Sequence, residues 1–118
     1  MIVRAAYLEG HVKHENLQRF DDFVAREIVP LMRRFPGVRA VRVLRAQSVE
    51  ENGPSLHMTF ESVYDSVQAM EHAFTFPVRQ ELKARMKEIA PMFSGRLFHI
   101  THHLIADERV QETQGDQP

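Results

Sequence analysis

The chain has 118 residues, 43% hydrophobic and 26% charged, which suits one globular domain with its own core. Fifteen Lys and Arg against sixteen Asp and Glu leave a formal net charge of −1, so no bulk attraction to nucleic acid or to an anionic membrane is expected. The absence of cysteine excludes disulfides, thiolate chemistry and zinc held through sulfur. No apolar run approaches membrane-spanning length, and Met1-Ile2-Val3-Arg4 lacks the layout of a signal peptide, so the expected location is cytoplasmic.

In chain order, residues 2–10 read as a first strand with apolar residues on both faces, Ile2, Ala6 and Leu8 on one and Val3, Ala5 and Tyr7 on the other. A polar loop from His11 to His14 follows. Leu17, Phe20, Val24, Ile28, Leu31 and Phe35 then form a helical stripe. Pro30 removes a backbone donor inside that helix, so a kink is expected between Arg26 and Val29, and Pro36-Gly37 stops it. Residues 38–48 read as a second strand, and the turn around Asn52-Gly53-Pro54 leads to a third, in which Leu56, Met58 and Phe60 alternate with His57, Thr59 and Glu61. Ser62 and Asp65 have the spacing of a capping box, ahead of a helical face made by Val63, Val67, Met70 and Phe74. Pro77 breaks that helix. Val78, Leu82, Met86 and Ile89 give the stripe of the next, which Pro91 ends. From Gly95 a fourth strand puts Leu97, His99, Thr101 and His103 on one face and Phe98, Ile100, His102 and Leu104 on the other. The polar tail from Asp107 is expected to be loose, which sets the domain at residues 1–106 and the tail at 107–118.

The order β-α-β-β-α-β, with its second helix in two pieces, defines an α+β, ferredoxin-like sandwich. Right-handed crossovers put strands one and three in the centre of a four-stranded antiparallel sheet, with all helices on one face. The other face needs a cover, and a second copy of the same sheet is the economical one, so a homodimer closed into an α/β barrel is expected.

Glu27-Ile28-Val29-Pro30-Leu31-Met32-Arg33-Arg34-Phe35-Pro36-Gly37-Val38 resembles the corresponding segment of EthD-like proteins in the dimeric α/β-barrel superfamily, which carry a pattern close to His-x-Pro-Leu and then Pro-Gly. Phe60-Glu61-Ser62 and Phe74-Thr75-Phe76-Pro77 are similar to that family and to its antibiotic-biosynthesis-monooxygenase relatives. The resemblance covers residues 2–105. It implies the fold and dimerisation, and a function among cofactor-free monooxygenases, isomerases, haem-degrading enzymes and proteins without known activity. Ile28 stands at the position of the family's histidine, so that histidine's polar role is absent.

In the resembling families a small-molecule pocket lies between helices and sheet. Candidates to line it here are Tyr7, Phe20, Phe23, Met58, Phe60, Met70, Phe74, Met86 and Phe93, with Arg4 as an alternative polar member on the first strand. Their spacing serves equally for a packed core. His11 and His14 are the candidate catalytic acid or base, since a loop imidazole titrates near working pH and can reach a pocket mouth. His57, His99 and His103 are expected on the open face of the sheet, inside the dimer barrel. His99 and His103, four apart on a strand, could hold a metal only with a third ligand, His57 or Glu61, but hydrogen-bonded interface histidines are the simpler expectation, and no metal site is assigned. His72 is expected to be exposed, and Arg39, Arg42 and Arg45 to be a charged strand edge that discourages aggregation.

The RNA-recognition motif shares this element order, but Ser55-Leu56-His57-Met58-Thr59-Phe60 lacks the basic and aromatic platform that stacks bases. There is no phosphate-binding glycine loop, no Gly-x-Ser-x-Gly and no His-Glu-x-x-His, so no cofactor is assigned. Two functions stay open. One is a small-molecule-binding protein or cofactor-independent enzyme of monooxygenase or isomerase type, acting on an apolar or aromatic metabolite. The other is a non-catalytic binding or assembly homodimer with a filled core.

Overall fold

The computed structural model describes residues 1–112. Four antiparallel strands, β1 (Ile2–Val12), β2 (Ala40–Arg45), β3 (Leu56–Tyr64) and β4 (Phe93–His103), lie in the order β2-β3-β1-β4, as the crossover argument requires. The helices α1 (Leu17–Phe23), α2 (Val29–Arg33), α3 (Val67–Ala73) and α4 (Val78–Ile89) cover one face, giving the ferredoxin-like α+β sandwich.

Pro30 leaves its mark on the first helical segment. With no N–H of its own, and with a ring that crowds the carbonyl four residues back, it does not fit a regular α-helix; the chain widens into a π-helical stretch over Val24–Ile28 and resumes as α2. The expected kink between Arg26 and Val29 thus takes the form of an added turn residue, and it keeps both Val24 and Ile28 buried. Gly37, at φ 80°, makes the turn into β2.

Several local boundaries differ from the sequence expectation, among them β2, which covers Ala40–Arg45 rather than the expected residues 38–48. Residues His11 and Val12 continue β1 instead of forming a loop, because β4 starts at Phe93 and pairs Val12 with Phe93 and His11 with Ser94. Ser62 is no helix cap: β3 runs on to Tyr64, whose partner is Ile2, and Val63 pairs with Val3 on one side and Ala40 on the other. With both ladders available the backbone stays extended, and the cap falls to Ser66, which accepts a 3.0 Å bond from the Ala69 amide. Asp65 instead binds the Arg39 guanidinium at 2.7 Å. Residues 107–112 of the expected tail are exposed and have no regular structure; the rest of it, 113–118, lies outside the described residues.

The core divides into two clusters. One gathers Leu8, Val12, Phe20, Val24, Ile28, Met32, Met58, Phe60 and Ile89; the other gathers Ile2, Leu31, Phe35, Tyr64, Met70, Ala73 and Val78. Leu82 packs against both. Phe20, Ile28, Ile89 and Tyr64 are essentially sealed from solvent, and burying each such side chain contributes roughly 1.5–3 kcal/mol.

Candidate functional site

Strand pairing decides what faces the helices. Arg4 pairs with Ser62 and Thr101, Ala6 with Phe60 and His99, and Leu8 with Met58 and Leu97, so these residues share the face that carries the buried core. At the seam between the two core clusters the side chains leave a cavity of about 110 Å³. Ala6, Phe60, Ser62 and Tyr64 form its floor, and Ile28, Met32, Phe35, Phe74, Leu82 and Met86 form its walls. Arg4, His99 and Leu97 complete it on the β1 and β4 side. A void of this size accommodates one aromatic ring rather than a polycyclic molecule.

The polar groups gather at one end. The guanidinium of Arg4 lies 4.8 Å from the centroid of the Phe74 ring, and that of Arg79 lies 4.4 Å from the same centroid. Phe74 is itself held edge-on by Phe35 at 6.1 Å and Tyr64 at 6.4 Å. Burial lowers the pKa of Arg4, and the charge of Arg79 lowers it further, against an opposing pull from Tyr64. The His99 imidazole is also held below its ordinary value, first by burial and then by the positive charges of Arg4 and Arg79. It is therefore neutral at physiological pH and able to accept a proton. Burial raises the Tyr64 phenol, with Arg4 pulling the other way.

A second polar group lies near the opposite end of β1. The pairing shifts between Leu8 and Glu9, leaving His57 as the extra residue of a β-bulge. Its ring packs edge-on to Phe20 at 5.6 Å and against Phe93 at 6.4 Å, on the helix side of the sheet. Asp21 and Arg45 form an ion pair of 2.5 Å beside it. His57 Nε2 and Asp21 Oδ1 are both buried without a hydrogen-bond partner. The imidazole is held below its ordinary value by burial, which Asp21 opposes and Arg45 reinforces.

The histidine faces therefore differ from the sequence expectation. His57 is turned inward by the bulge, and His99 and His103 share the helix side with Arg4 and Ile2. The open face of β4 presents Phe98, Ile100 and His102 instead. Tyr7 is there too, stacked on Phe98 at 5.2 Å with its hydroxyl 2.7 Å from His102 Nε2, and so lies across the sheet from the cavity. Among the described residues no three His, Asp or Glu side chains come together as a metal-holding group. Arg39, Arg42 and Arg45 are all ion-paired, with Asp65, Glu61 and Asp21. His72 is exposed and meets the edge of Phe76 at 5.2 Å.

Of the proposed lining residues, the structure brings Phe60, Phe74 and Met86 to the cavity. Phe20, Phe93 and Met86 border a second, more open hollow of about 300 Å³. Met58 and Met70 are core, and Phe23 packs against the first core cluster. His11 and His14 are exposed, His11 on the open side of β1 and His14 in a 3-10 turn, and neither borders the cavity. Arg79, Tyr64, Ser62 and the inward placement of His99 had no local sign in the sequence: Arg79 is the second residue of α4, and only the packing of that helix brings it to Arg4.

This is the fold of the EthD-like and antibiotic-biosynthesis-monooxygenase-like proteins. An EthD family protein from Bacillus halodurans C-125 superposes with a TM-score of 0.65 at 22% identity, over 87% of this chain and 98% of that one. A dimeric protein of ferredoxin-like fold and unknown function from Bacteroides fragilis NCTC 9343 gives 0.63 at 14%, over 86% and 93%. SnoaB, a cofactor-independent oxygenase from Streptomyces nogalater, gives 0.58 at 14%, over 94% and 97%. No protein-family model and no curated protein matches the sequence.

Proposed function

We propose that the chain binds a small apolar or aromatic molecule in the cavity between helices and sheet, acts as a homodimer, and uses His99 as a proton acceptor without a resident cofactor. The observation that carries this reading is the cavity itself: an apolar pocket at the seam between the two core clusters, with a neutral imidazole at its polar end. A structural neighbour that is a cofactor-independent oxygenase supports the same kind of chemistry here. Dimerisation is supported by the uncovered sheet face, where Ile100 and Leu44 are 42% and 45% exposed beside Tyr7 and Phe98, and by the neighbour described as dimeric. In this reading His11 and His14 stay outside the site.

The test is binding of toluene and benzyl alcohol, followed by amide and methyl NMR shifts. Shifts are expected at Ile28, Met32 and Met86, and are lost in Ala6→Leu, which fills the floor; the double variant His11→Ala, His14→Ala keeps them. Sedimentation equilibrium of the same samples returns twice the 13.7 kDa chain mass. Ligand-independent spectra overturn the pocket reading, and a single-chain mass overturns the dimer.

A further inference from the structure

The geometry points to a carboxylate on the ligand: we infer that the cavity takes a monocyclic aromatic acid, or a short-chain acid of similar bulk, with its carboxylate bound by Arg4 and favoured further by the nearby charge of Arg79. The inference rests on the pocket reading above and names the chemical class of the occupant.

The argument is one of charge left unmatched. The described residues form seven side-chain ion pairs, which engage Arg34, Arg39, Arg42, Arg45, Arg85 and Arg96. Arg4 and Arg79 belong to none of them; nor do Arg19, Arg26, Arg33 and Arg109, but those four are exposed and solvated, whereas Arg4 and Arg79 are partly buried. They nevertheless stand against a single ring, 4.8 and 4.4 Å from the Phe74 centroid, close enough for the charge of one to depress the other. Two like charges in a partly buried place repel, and the face of one phenyl ring compensates them only in part. An anion beside them would offset the repulsion that the ring leaves.

The surroundings narrow its kind. Arg4 borders the apolar cavity directly, and so does Phe74, so an anion on the Arg4 guanidinium continues into a space for about one ring, while Arg79, just outside that lining, adds its charge from beside Phe74. A guanidinium presents a planar fork that matches a carboxylate with two parallel hydrogen bonds. His99, also at this end, is neutral and adds a further hydrogen-bonding group without repelling an acid. A doubly charged phosphate would bring the same attraction, but the adjoining wall of Ile28, Met32 and Leu82 gives a free inorganic ion nothing to bury against. An acid with an apolar body uses both halves of the site.

Calorimetric titration of the full chain with benzoate, benzyl alcohol, acetate and inorganic phosphate separates the possibilities. Benzoate is expected to bind roughly tenfold or more tighter than benzyl alcohol, the ratio set by charge-assisted bonds. It should also bind tighter than acetate or phosphate. Arg4→Gln and Arg79→Gln each remove most of the benzoate advantage, lowering benzoate affinity far more than benzyl alcohol affinity; the wild-type comparison of benzoate with benzyl alcohol needs no variant and decides the matter even where one fails to fold. Equal binding of benzoate and benzyl alcohol overturns the carboxylate while leaving the pocket standing. Acetate or phosphate binding as tightly as benzoate overturns the acid-with-a-ring class. Silence from all four probes overturns the pocket and this inference together.

Discussion

Two polar groups sit on the helix side of the same sheet and differ in one respect, the presence of an acid. Near the Glu9 end of β1, His57 lies beside Asp21 and Arg45, whose charges cancel across a 2.5 Å ion pair. Near Arg4, His99 lies beside two guanidiniums and no carboxylate. Burial depresses both imidazoles, but at His57 an acid opposes the shift, while at His99 both neighbours add to it. The first group is internally balanced, as a structural cluster needs to be. The second has no such counter-charge, which is what the proposed carboxylate would supply.

The largest expected effect comes from removing the ring that holds the unbalanced pair. Phe74→Ala takes away the surface under both guanidiniums together with the contacts to Phe35 and Tyr64, and should lower unfolding free energy by about 3 kcal/mol in urea melts. A loss below roughly 1 kcal/mol would mean that the walls collapse into the space and that Phe74 does not organise this end.

A pair of variants sharpens the contrast with opposite signs. Asp21→Asn strips the acid from the balanced group and should cost about 1 kcal/mol or less, because Arg45 is 52% exposed and solvent already screens the pair. Arg4→Gln relieves a repulsion and should leave stability unchanged or raise it by about 0.5 kcal/mol. Arg4→Gln proving the more harmful of the two would reveal a matched charge at Arg4 and end the comparison.

The smallest effect is the acid limb of the stability profile. In the unfolded chain an imidazole titrates near its ordinary value of about 6.5; His57 and His99 titrate lower when folded. As pH falls below about 6.5 the unfolded state takes up protons that the folded state refuses, so stability is full above that value and declines as pH drops through the folded pKa values. His57→Phe and His99→Gln should each flatten that decline, and His57→Phe should also raise stability at neutral pH by removing a buried atom without a partner. A profile in which stability rose on acidification would contradict the neutral state of both rings.

The architecture was legible because each element carries its own period. The stripe from Leu17 to Phe35 and the alternation Leu56, Met58, Phe60 set helix and strand, and the element order set the strand order. What was not legible depends on pairing across the sheet. β4 has apolar residues on both faces, Leu97 on one and Phe98 and Ile100 on the other, so its alternation does not tell which side turns inward; the pairing of Ala6 with His99 decides it. His57 follows the alternation of its strand in the sequence and departs from it in the structure, since an inserted residue at a bulge leaves no local trace. The cap at Ser66 instead of Ser62 has the same origin, a ladder that keeps the chain extended longer than its own residues require. Arg4 and Arg79 stand 75 positions apart, and their meeting at Phe74 is a product of tertiary packing alone.

The seam between the two core clusters has a mechanical consequence. Side chains that line an open pocket have packing partners on one side only, so they lose part of the close contact that keeps a filled core rigid. Here the pocket follows the line along which the two halves of the core meet, with Leu82 as a side chain common to both. The molecule should be most compressible along that line, and an occupant would stiffen it by joining the two halves into one continuous interior.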